Sequence, residues 1–153
     1  MNNDHQANRL MNTLLTGLLL FILLFLSADL LLKAQHYGYT LSQVESTLYG
    51  NEELFIDPLP LLSLLQGIHA DIFFAMMILL SIGAVYGRVG RSKRLRIILI
   101  NLTMFSALIA LLAPFLALYL HKVWIFFWIF SSLLWHVLAI AISFVSLWRL
   151  RFP

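Results

Sequence analysis

Five side chains stand out as candidates within long, mostly apolar stretches: Asp29, His69, Asp71, Asn101 and His136. Polar or ionisable groups are costly inside a bilayer, so each marks either an internal partner or a functional site. Asp29 stands four residues before Lys33, the spacing of an ion pair on one helix face. His69 and Asp71 are two apart, and on a helix their side chains diverge by about 200°. They cannot share one metal ion unless the helix breaks, as Gly67 would permit. His69 has a better partner in Asp29 of the first apolar stretch, where a carboxylate would orient the imidazole. The candidate polar site is therefore His69, Asp29 and Asp71, with no metal expected.

His136 stands alone near the middle of the last apolar stretch, beside Trp135. Its functional reading is axial ligation of haem b; its structural reading is a hydrogen bond to Ser131, Ser132 or another helix. At 1.5 Å per residue His136 lies roughly 18 Å from Trp148, and His69 roughly 28 Å from Arg88. The two histidines thus differ by about 10 Å in depth and do not face each other across one iron. Met76 and Met77 fall near the depth of His136, so the candidate cofactor-binding set is His136, Met76 and Met77. Asn101, Thr103 and Ser106 are expected to make hydrogen bonds between helices.

The chain has no cysteine, which excludes disulfides, zinc-thiolate sites, iron-sulfur clusters and covalently attached c-type haem. It has no nucleophile with a partner base, no phosphate-cradling glycine loop and no HExxH pattern. These features point away from catalysis. The net charge of +3 is better explained by membrane orientation than by nucleic-acid binding.

The elements that must hold these residues are transmembrane helices. Of the 153 residues, 61% are hydrophobic and 11% charged, whereas a soluble domain is about half apolar and about a quarter charged. Apolar runs long enough to cross roughly 30 Å of hydrocarbon occupy about 13–33, 61–87, 96–120 and 123–148. The expected fold is all-α, a single membrane domain with an antiparallel four-helix transmembrane bundle. In the third span Pro114 cannot donate to the carbonyl of Ala110, and a bend is expected there. Placing the amino terminus, the 88–96 loop and the carboxyl tail on one side collects Arg9, Arg88, Arg91, Lys93, Arg94, Arg96, Arg149 and Arg151. Only Lys33 and Lys122 remain on the other side. Positive charge is retained in the cytoplasm, so both termini are expected there.

Residues 34–60 form the one sizeable segment outside the bilayer. Ser42-Gln43-Val44-Glu45 reads as a capping box, Leu41, Val44 and Leu48 recur at helical spacing, and Gly50-Asn51 is a C-terminal stop. A short outer amphipathic helix is expected, either on the membrane surface or as a lid packed over the bundle. Tyr37, Tyr39, Tyr49, Phe55 and Trp124 are the expected outer interfacial aromatics, with Trp148 on the inner side.

The run Tyr49-Gly50-Asn51-Glu52-Glu53-Leu54-Phe55, followed by Leu61 to His69 and Phe73, resembles small uncharacterised bacterial four-helix inner-membrane proteins. Those carry Gly-Asn-Glu-Glu in an outer loop and a His-x-His pair opening the second helix. The resemblance covers residues 37–80. It carries over His69 alone, since Asp71 stands where the second histidine would be, and it implies a bacterial inner-membrane location with interest centred on the outer loop. The function these observations favour is a non-catalytic accessory, assembly or structural subunit, in contact with the lipid bilayer and other membrane subunits. The alternative is an electron-transfer protein that binds haem b or exchanges electrons with quinone.

Overall fold

A computed structural model describes residues 2–38 and 40–152. Among the described residues five α-helices follow in order: α1 (Asn2–Tyr37), α2 (Leu41–Tyr49), α3 (Leu61–Val89), α4 (Lys93–Tyr119) and α5 (Val123–Arg151), with a 3₁₀ turn at Glu52–Leu54. The four long helices are apolar enough to cross a membrane, and they pack as a bundle in which α5 touches all the others. Tyr39, one of the expected interfacial aromatics, lies outside the described residues.

The most extensive contact is between α4 and α5, which a tight turn at Leu120–Lys122 makes antiparallel. Small residues line this seam. Thr103, Ser106, Ala107, Ala113 and Ala117 of α4 are buried, as are Ser131, Ala139, Ser143 and Ser146 of α5. Close backbone approach through small side chains is how helices associate where lipid is as apolar as leucine. Among the described residues the expected hydrogen bonds between helices are not formed. Thr103 donates to Leu99 O at 2.7 Å and Ser106 to Thr103 O at 3.0 Å, both within α4, because a serine or threonine on a helix reaches its own preceding turn more easily than a neighbouring backbone. Asn101 is exposed and has no partner among the described residues. Pro114 is buried on the seam within α4.

At the end of the bundle opposite the chain termini, α2 is a lid. Val44 and Leu48 pack into a core with Ala113, Ala117, Ile125 and Trp128, and Tyr49 Oη donates to Ala117 O at 2.7 Å. Its capping box begins two residues earlier than the sequence reading placed it: Thr40 Oγ1 accepts from Gln43 N, and Gln43 Oε1 accepts from Thr40 N. Gly50 ends the helix at φ 81°, ψ 166°, a conformation essentially confined to glycine. Asn51 Oδ1 then accepts from the backbone N–H of Glu53 and Leu54, and Asn51 and Ile56 exchange backbone hydrogen bonds. The loop so closed leaves Phe55 95% exposed. At the terminal end, Arg149 donates to Val89 O at 3.3 Å, and Arg96 to Gly87 O, so the basic residues help close that end through carbonyls that α3 leaves free.

Candidate functional site

Between the two apolar cores, four ionisable side chains from three helices form one chain of contacts. On α1 the four-residue spacing brings Lys33 Nζ to Asp29 Oδ2 at 2.8 Å. From α3, Asp71 Oδ1 lies 3.1 Å from the same ammonium. From α5, His136 Nε2 lies 2.9 Å from Asp29 Oδ2, and its Nδ1 lies 2.7 Å from Ser132 O. His136 is fully buried, while the other three are partly buried.

A carbonyl oxygen can only accept, so His136 Nδ1 carries a proton and donates it to Ser132 O. The Nε2–Asp29 contact then holds one further proton, either on the imidazole, giving imidazolium and carboxylate, or on Asp29, giving neutral imidazole and carboxylic acid. In both placements, with Lys33 as ammonium and Asp71 as carboxylate, the net charge of the four groups is zero. Charge neutrality with every group paired is the condition under which ionisable side chains are tolerated in a low-dielectric interior. Lys33 occupies the position between two carboxylates that a bound cation would otherwise take.

A cavity of about 20 Å³ adjoins the cluster, lined by Asp29, Lys33, Asp71 and Ser132 together with Trp128 and Trp135. A water needs roughly 10–15 Å³ of such space, so the cavity has room for about one. Beside it, a crevice of about 270 Å³ runs between α1 and α5 under the lid, sharing Lys33, Trp128 and Ser132 with the cavity.

This geometry corrects the choice of histidine. His69 is exposed and has no partner among the described residues, so it does not meet Asp29. The reason lies in the angular position of each residue on α3. Leu64, Ile68, Ala75, Ile78 and Ile82 form its buried stripe; at 100° per residue Asp71 falls within about 20° of Leu64, and His69 about 140° away. Asp71 therefore turns inward and His69 outward. His136, treated as isolated, is the buried partner of Asp29. Asp29 stands well inside its helix, because α1 continues to Tyr37, eight residues or about 12 Å beyond it.

The haem reading does not fit. Both ring nitrogens of His136 are engaged, and the adjoining cavity is far too small for a porphyrin. Met76 and Met77 are 55% and 53% exposed on α3, facing away from His136. Sequence reasoning missed Lys33 as the bridge between two carboxylates, although its pairing with Asp29 was legible. The small residues at 139, 143 and 146, one face of α5 with His136, were the available signal that His136 points inward.

Four apolar helices long enough to span, packed around a charge-neutral polar cluster, define a polytopic α-helical membrane protein. A family model described as a transmembrane helical domain matches residues 38–153. The chain belongs to that family. No curated protein and no solved structure matches it.

Proposed function

We propose that this chain is a non-catalytic accessory, assembly or structural subunit of a bacterial inner-membrane complex, with both termini cytoplasmic. The observation that carries this reading is the cluster itself: Asp29, Lys33, Asp71 and His136 neutralise one another and tie α1, α3 and α5 together, as befits a scaffold that holds helices in a fixed register. A groove of about 550 Å³ between α3 and α4, lined by apolar side chains including Met76, Leu79, Met104 and Leu108, is the face we assign to a transmembrane helix of another subunit. The cationic residues at the terminal end support the orientation.

Native electrophoresis of detergent-extracted membranes tests the subunit reading. A tagged chain should migrate in one complex larger than itself, and Leu108→Trp, which fills the groove, should release it. Migration of both forms as the free chain would overturn the reading. Reporter fusions after Ser92 and at the carboxyl end should read cytoplasmic, and one near Asn51 external.

One observation favours a second reading, exchange of electrons with quinone. The α1–α5 crevice places an ammonium, a hydroxyl and two aromatic rings beside apolar walls.

A further inference from the structure

We infer that the crevice between α1 and α5 binds a neutral, carbonyl-bearing amphiphile of the isoprenoid quinone class, its headgroup against Lys33 and Ser132 and its tail leaving toward lipid. This rests on the second reading only as far as binding; it includes no redox step.

The chemistry of the crevice selects that ligand. Its walls are Leu30, Leu31, Ala34, Val44, Ile129 and Leu133, with Tyr37 and Trp128, whose rings meet edge to face at 4.9 Å. Its polar side chains lie at the boundary with the charged cluster. Lys33 gives two of its three ammonium hydrogens to Asp29 and Asp71 and retains a third. The Ser132 hydroxyl makes no hydrogen bond among the described residues, since the atom that meets His136 is the Ser132 backbone oxygen. The ammonium can only donate and the hydroxyl can donate as well as accept, so a headgroup held by both must present an acceptor to Lys33.

Charge decides which acceptor. The four ionisable groups already sum to zero, so a phosphate brought against Lys33 would add an uncompensated anion in a low-dielectric site. A quinone carbonyl accepts from an ammonium and a hydroxyl without disturbing that balance, and a planar ring suits a wall of tyrosine and tryptophan. At about 270 Å³ the crevice lies near the lower end of ligand pockets, roughly 300–1,000 Å³, which suits a headgroup rather than a whole lipid. Leu31 and Leu133, both exposed, mark where an isoprenoid tail passes into the bilayer.

The test is titration of the purified chain in phosphatidylcholine nanodiscs with decylubiquinone, followed by tryptophan fluorescence. Saturable quenching is expected. Trp128→Phe should remove the largest share of its amplitude. Ser132→Ala, which deletes the hydroxyl and leaves the carbonyl bound to His136, should weaken binding about five- to tenfold, the loss of one hydrogen bond. Ala34→Phe, which fills the crevice, should abolish saturation, whereas Leu20→Phe, at an exposed position of α1 that does not line the crevice, should leave it unchanged. A photoreactive azidoquinone should label the wild-type chain within 30–34 or 128–133, a readout that does not depend on any variant folding. Unsaturable quenching with label spread over the lipid-facing helices would overturn the site. Displacement of decylubiquinone by phosphatidylglycerol at matched mole fraction would overturn the neutral headgroup. Binding as described, without quinone reduction by the intact complex, would refute the electron-transfer reading and leave the site standing.

Discussion

Removing Lys33 tests whether the buried charges act as one balanced unit. In Lys33→Met, Asp29 retains His136 at 2.9 Å, but Asp71 loses the ammonium at 3.1 Å that is its ion-pair partner. The cost is that of one orphaned carboxylate inside a bundle. A carboxylate placed near the centre of a spanning helix costs about 2.5–3.5 kcal/mol on insertion scales. The Asp71 side chain is 31% exposed, which brings the expected loss to about 2 kcal/mol. For a chain of this size that lowers the unfolding temperature by roughly 4–8 °C.

Asp71→Asn alone should cost a similar amount, because with either placement of the proton shared by His136 and Asp29 it leaves the cluster with a net charge of +1. The double variant Lys33→Met with Asp71→Asn removes one charge of each sign and leaves the Asp29–His136 pair intact. It should lie within about 1 kcal/mol of the parent, more stable than either single variant. The assay is thermal unfolding in detergent micelles followed by helical circular dichroism, read as a double-mutant cycle. Additive losses in the double variant would show that Lys33 and Asp71 contribute separately and would refute the balanced-cluster argument.

Three further outcomes follow from the same geometry. His69→Ala should leave the unfolding temperature within the scatter of surface substitutions, about 0.5 kcal/mol, whereas His136→Ala, which opens a cavity and strips Asp29 of a partner, should cost about 2–4 kcal/mol in the same assay. Gly50→Ala places a Cβ 2.9 Å from Pro58 Cδ and 3.0 Å from Ile56 O at a φ of 81°; a loss of about 1–3 kcal/mol should appear as faster proteolysis within 50–60 while the helical signal of the bundle is unchanged. Lys122, whose ammonium is held above the ordinary lysine range by its hydrogen bond to Glu45 and the charge of that carboxylate, contributes fully below the lysine range and loses its contribution only as pH rises through the raised value. The pair is solvent-exposed, so Lys122→Met should shift the unfolding temperature by no more than about 2 °C between pH 6 and 9.

The four long helices were legible because a run of roughly 20 apolar residues has few structural alternatives, and the all-α bundle followed from them. The Asp29–Lys33 pair was legible for a different reason: a separation of four on one helix is local geometry. The contact between Asp29 and His136 was not. It joins the first helix to the last, 107 residues apart, and no periodicity carries that information. The end of the apolar run also did not mark the end of the helix, since α1 continues through lysine, alanine and glutamine at 33–35 to Tyr37. On α3 the inward face was hidden because a helix apolar on every side has no hydrophobic stripe to read. Asp71 shares its face with Leu64, Ile68, Ala75 and Ile78, yet in the sequence only the neighbouring His69 draws the eye.

The distribution of the four charges over the helices bears on how the bundle is completed. Within α1 alone, Asp29 and Lys33 pair at adjacent turns, so this helix enters the bilayer with its polar groups neutralised. Packing α3 against it adds Asp71 and leaves the three groups with a net charge of −1. The balance is restored only when α5 supplies His136 together with the proton it shares with Asp29. The last helix is thus the one that closes the charge count, and it is also the one that contacts α1, α2, α3 and α4. Its imidazole is aligned by a carbonyl of its own preceding turn, at Ser132, so the orientation of the donor is set by α5 before any partner is met. A helix arranged in this way selects its place in the bundle by chemistry as well as by shape. A shift of α5 by one turn, about 5.4 Å, would separate Nε2 from Asp29, and an unpaired carboxylate would remain inside the bundle. The charged cluster therefore disfavours a slip that lipid-facing surfaces alone would tolerate.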